Sequence, residues 1–146
     1  MRILKLLLAF VAAVIVTTIL GAAFHTQFVI GRLTDLGIAV PFADRMSTTL
    51  HDIAGMAPLF GAVIATGFLI AFLTGALVYR FAGVQRDLIY VIAGAAAIAV
   101  ALSAMAAVYN ITPIAGARSW LGFMAQMAAG AVGGYVFALI SRMRMA

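Results

Sequence analysis

Cysteine is absent from this chain, and so is glutamate. The first absence excludes disulfides and thiolate metal sites. The second removes the commonest intramembrane carboxylate. Charge is scarce as well: 9% of the 146 residues are charged, where a soluble domain carries about a quarter. What fills the sequence instead is apolar, 66% of it. In water such a chain would lack the polar groups to cover its own surface, so lipid must be the solvent. The length suits one domain. A net charge of +5 invites a nucleic-acid reading. The basic residues, however, stand singly at the ends of apolar runs and form no patch, which excludes it.

Four apolar runs are long enough to cross a bilayer: 3–23, 59–79, 88–108 and 121–140. At about 1.5 Å per residue each reaches roughly 30 Å, the thickness of the hydrocarbon core. The expected fold is an all-α integral membrane protein, a bundle of four transmembrane helices in a single domain. The first run, with Arg2 and Lys5 before it and Gly21-Ala22-Ala23 at its end, also has the outline of a signal peptide. Its apolar core exceeds the usual ~7–15 residues of such a segment, so a retained helix is expected. Tyr79, Tyr90, Tyr109 and Trp120 fall at run ends, where aromatic belts lie. Pro58 falls where the second run begins, a position suited to a first helical turn.

Orientation follows from counting basic residues. With both termini on one side, that side holds Arg2, Lys5, Arg80, Arg86, Arg142 and Arg144; the other holds Arg32, Arg45 and Arg118. The positive-inside rule then places both termini in the cytoplasm, in a multi-pass protein of the cell inner membrane.

Between the first two runs lies a polar stretch, 24–55, which faces outward in this topology. It holds both histidines, His25 and His51, and three of the four acidic residues, Asp35, Asp44 and Asp52. Pro41 divides it. After Pro41, Phe42, Met46, Leu50 and Ile53 recur at helical spacing, with Asp44, Ser47, Thr48, His51 and Asp52 on the other side. That pattern predicts a short amphipathic helical segment between helices 1 and 2 on the outer side. It fits a helix lying in the interface, or equally a cap folded over the bundle.

Lipid removes the hydrophobic drive between helices, so close backbone approach must substitute for it. Gly122, Gln126, Gly130 and Gly134 recur every four residues on one face of the fourth run, with Gly133 beside them. The second run offers Ala57, Gly61 and Ala65; the third offers Ala93, Ala97 and Ala101 with Gly94. These faces are expected to pack within the bundle, with a homodimer seam as the alternative. Gln126, the polar residue nearest the middle of any run, is expected to be an interhelical hydrogen bond before it is a ligand contact or proton relay.

Candidate chemistry is confined to the outward side. His25, Arg45, His51, Asp52 and Arg118 form a constellation suited to a lipidic ligand. An imidazole beside carboxylates exchanges protons near neutral pH, and arginine grips phosphate or carboxylate. A quinone or a phospholipid head group would fit, although surface charges in a wet loop explain the same residues. Paired histidines on adjacent helices also admit bis-histidine haem, against which stands their place at a wet rim. No catalytic residue and no metal site is assigned: there is no nucleophile elbow, phosphate loop or HExxH helix. No charge falls near the centre of a run, which disfavours ion translocation. The leading expectation is a non-catalytic binding or accessory subunit with a partner in the membrane. A binder of membrane lipid or quinone is second, and a haem protein third.

Overall fold

A backbone in hydrocarbon must satisfy its polar groups internally, so each apolar run folds as a helix. The computed structural model describes residues 2–110 and 114–142. Ile111, Thr112, Pro113 and Arg144 therefore lie outside the described residues, as does the side chain of Arg2. Among the described residues there are four α-helices: α1 Arg2–Asp35, α2 Phe42–Ala82, α3 Arg86–Tyr109 and α4 Trp120–Arg142. A 3₁₀ turn, Ala115–Arg118, precedes α4. All four α-helices are long and apolar enough to cross a membrane. They form a ring in which α4 closes onto α1 as well as α3, and α2 lies between α1 and α3. The start of α1 and the end of α4 share one end of the bundle, here the termini end.

Helix ends are set by local backbone chemistry. Gly37, at φ 82, closes α1: its N–H donates to the Thr34 carbonyl, and the Ile38 N–H donates to Leu33. This paired capping needs a left-handed residue, which glycine adopts without a Cβ penalty. Gly83, at φ 62, closes α2 in the same conformation.

The helices differ in length, and that difference shapes the molecule. α3 and α4, at 24 and 23 residues, reach roughly 35 Å, enough to cross a bilayer. α1 and α2 have 34 and 41 residues, roughly 50 and 60 Å. They therefore run on past the α3–α4 loop as an antiparallel pair, here the arm. The amphipathic segment after Pro41 is helical, but it is continuous with the second span: it forms the first turns of α2. Pro58 accordingly lies inside α2 and not in its first turn. The polar residues of the arm mark a change of solvent, and an α-helix crosses such a change because its backbone bonds are already internal. Arg32, Asp35, Asp44 and Arg45 lie beyond the level of the α3–α4 loop, away from the apolar runs whose hydrocarbon surroundings would impose a cost on them.

Packing differs along the bundle axis. Towards the termini end, the rings of Phe10, Phe68, Phe72, Tyr90 and Phe137 interlock, with Phe72 and Phe137 stacked at 4.5 Å and Phe72 meeting Tyr90 edge-on at 5.6 Å. Tyr90 is thus a core residue, 6% exposed, and not part of an interfacial belt. α3 begins at Arg86, so Tyr90 sits one turn inside, on the face turned to Phe72 and Phe137. Tyr79, Tyr109 and Trp120 are exposed at helix ends.

The glycine face of α4 is buried within the chain. A Cβ on Gly130 would collide with the Gly94 carbonyl, one on Gly134 with the Tyr90 carbonyl, and one on Gly122 with the Gly116 carbonyl. Gly133 faces the other way, onto the Thr17 hydroxyl and the Phe68 ring. α4 thus approaches α3 and α1 on adjacent faces, as only small residues allow.

Candidate functional site at the arm end of the bundle

Gln126 marks the level where the bundle turns polar. It is 1% exposed, and its Nε2 donates to the Gly21 carbonyl at 2.9 Å. Its Oε1 lies beside Gly21 and the Phe60 ring and has no hydrogen-bond partner among the described residues. One turn towards the termini, the Thr17 hydroxyl reaches the Ala129 carbonyl at 3.4 Å. Both bonds tie α1 to α4, so Gln126 acts as glue between helices.

One turn towards the arm from Gly21 sits His25. Its Nδ1 accepts the Gly116 N–H at 3.1 Å. Gly116 also packs against the His25 backbone so closely that a Cβ there would collide with it. The bond requires an unprotonated Nδ1, so neutral His25 carries its proton on Nε2. Thr26, fully buried, donates to Asp52 Oδ2 at 2.7 Å and so joins α1 to α2. His25, the Gly116 turn and the Thr26–Asp52 pair thus clamp three segments at one level.

The five sequence-predicted residues divide. His25 and Asp52 come together at this level, and Arg118 belongs to the 3₁₀ turn that docks on His25. His51 stands at the same height but is exposed. Arg45 lies two turns further along the arm, donating to Thr34 at 3.3 Å. The arm residues therefore form rungs, Thr26–Asp52, Gln27–Thr49 and Thr34–Arg45, in place of a single pocket. Among the described residues no group of three or more histidine or acidic side chains is placed to hold a metal ion.

The outer surface of the arm carries a feature of another kind. Phe42, Met46 and Leu50 are 76%, 47% and 61% exposed and stand at successive i, i+4 positions. Leu36 and Ile38, at the tip, are also exposed. A row of apolar side chains held this open, among polar neighbours, is characteristic of a contact surface.

Some anchoring residues were invisible in the sequence. Arg86 counted only as a flanking charge. In the structure its Nη1 donates to the Ala138 carbonyl at 2.9 Å, its Nη2 donates to Ser141, and its guanidinium lies 5.0 Å from the centre of the Tyr90 ring. The i, i+4 spacing of Arg86 and Tyr90 was the available signal. Comparison with protein-family models, with curated proteins and with solved structures finds no match to this chain.

Proposed function

We propose that this chain is a non-catalytic accessory subunit of the inner membrane, with both termini in the cytoplasm and the arm reaching outward to a protein partner. The observation that carries this reading is the exposed row Phe42, Met46 and Leu50 on a helical arm that runs past the α3–α4 loop. Supporting it, the seams of α4 with α1 and α3 are closed by glycine and ring packing within the chain, which lets the bundle work as a mount. The test is native mass spectrometry after extraction in mild detergent. The expected result is a complex of fixed stoichiometry that F42S/M46S/L50S dissolves while leaving helicity unchanged. A bare chain that turns over a substrate overturns the reading.

A second reading is a binder of a quinone or phospholipid head group at the arm end, supported by the His25–Gly116 and Thr26–Asp52 bonds at one level. Replacing Arg45, His51 and Arg118 together with alanine should then strip a co-purifying lipid; unchanged lipid content ends it. The same preparation addresses haem, which predicts a Soret band under haem-replete expression.

A further inference from the structure

The opposite end of the molecule carries a different arrangement. α2 and α3 are pinned together by small residues: a Cβ on Gly67 would rest on Ala97 at 3.7 Å, and one on Gly75 would meet Ile89 at 3.4 Å and Ala93 at 3.7 Å. On the lipid-facing side of this seam Ala93, Ala96, Ala101 and Ala104 are too short to fill the space between the helices. A groove of about 910 Å³ results, running from Ala62 to Val78 on α2. Its length is roughly 24 Å at ~1.5 Å per residue, longer than half of the ~30 Å hydrocarbon core. The Thr66 and Thr74 hydroxyls in its wall donate to the carbonyls of Ala62 and Ile70 at 2.9 Å, so the groove makes no polar demand on its occupant.

The groove ends, at the termini end, beside a polar recess of about 450 Å³. The recess is formed where α2 turns at Gly83, between Tyr79 and Arg80 on one side and Gln85 and Arg86 on the other. Arg80 is exposed and makes no ion pair among the described residues. Arg86 bonds only a carbonyl and a hydroxyl, both neutral, and these use two of its five N–H donors. Asp87, the acidic side chain next to Arg86 in the sequence, pairs through Oδ2 with Arg142 at 3.1 Å. Gln85 offers no side-chain cap to the first N–H groups of α3, which also favour an anion.

We infer that the α2–α3 groove and its arginine recess hold one anionic phospholipid, an acyl chain along the groove and the phosphate at Arg80 and Arg86. The groove supplies apolar length and the recess supplies positive charge, and the two adjoin where a lipid changes from chain to head group. This site lies at the end of the bundle away from the arm and is independent of the accessory role.

The test uses the full chain reconstituted in vesicles of equimolar phosphatidylglycerol and phosphatidylcholine with matched chains. After extraction in mild detergent, retained lipid is read by native mass spectrometry. Wild type is expected to retain one phosphatidylglycerol per chain. R80Q lowers the preference about fivefold, the worth of one arginine beside an anionic lipid. A96W, at an exposed alanine of the groove wall, abolishes retention at unchanged helicity. R32Q, at an exposed arginine of the arm, changes nothing. The inference is overturned if R80Q keeps the wild-type preference, if R32Q lowers it equally, or if A96W retains the lipid as wild type does.

Discussion

The two ends of this bundle are held by different forces. Towards the termini, five aromatic rings from all four helices fit one another, and the glycine contacts Gly94–Gly130 and Tyr90–Gly134 bring α3 and α4 to backbone distance. Towards the arm, the seams are hydrogen bonds: Gln126 to Gly21, Gly116 to His25, Thr26 to Asp52. Shape complementarity makes the first end intolerant of added volume. Hydrogen bonds at the second end are individually modest even in a membrane. The rigid end thus anchors a lighter structure that reaches past the α3–α4 loop.

The sharpest way to break this contrast is to add volume at the rigid end. G134L drives a side chain into the Tyr90 carbonyl and must part α3 from α4. A loss of more than about 3 kcal/mol is expected, read as failure to recover a monodisperse protein in detergent. Gly31 has open space around the same hypothetical Cβ. G31L on the arm should therefore be recovered normally, and equal losses at both glycines would erase the distinction. Removing volume comes next. F72A deletes a ring that touches Phe10, Phe68, Tyr90 and Phe137 at once, and about 3 kcal/mol should be lost in thermal or denaturant unfolding.

Polar deletions at the arm end should cost less. Q126L removes the bond to Gly21 but also the buried Oε1 that has no partner, so the expected change is about 1 kcal/mol or smaller. H25A loses the bond from Gly116 and frees the 3₁₀ turn, again at about 1 kcal/mol. H25N, whose amide oxygen can accept the same N–H, should recover part of that loss. Hydrogen exchange at Ala115–Arg118 is the suitable readout, because the bond's effect is local. A loss at Gln126 as large as that of F72A would mean that hydrogen bonding, not shape, governs this end too.

The contrast also explains what could be read from the sequence. Four spans were legible because hydropathy is a direct record of solvent, and the α4 glycines because close helix approach leaves few other choices. The arm was not. Pro41 and the run of polar residues after it look like a break, yet only Pro41 is one. Pro58 looks like a beginning, yet α2 carries it in its interior. Polarity reports what surrounds a helix and is silent on where the helix stops. Tyr90 and Arg86 were misread for a related reason. Position near a run end suggested a belt and a flanking charge, whereas the face of α3 on which they lie decides their burial. His25 and His51 share a height, as their spacing from the spans implied, but the Gly116 contact 91 positions away in sequence had no local signature.

The smallest effect on stability belongs to the exposed row of the arm, and it separates folding from function most cleanly. Phe42, Met46 and Leu50 are exposed and take no part in the hydrogen bonds that join α1 to α2, so F42S/M46S/L50S leaves those rungs in place. Surface substitutions of this kind change stability by about 0.5 kcal/mol or less. The same triple removes most of the apolar area a partner could cover on this helix. Dissociation of a complex at unchanged unfolding temperature is therefore the expected pair of results. If the triple variant instead unfolds early, the row belongs to the chain's own packing, and the arm would be a closed structure with nothing to offer a partner.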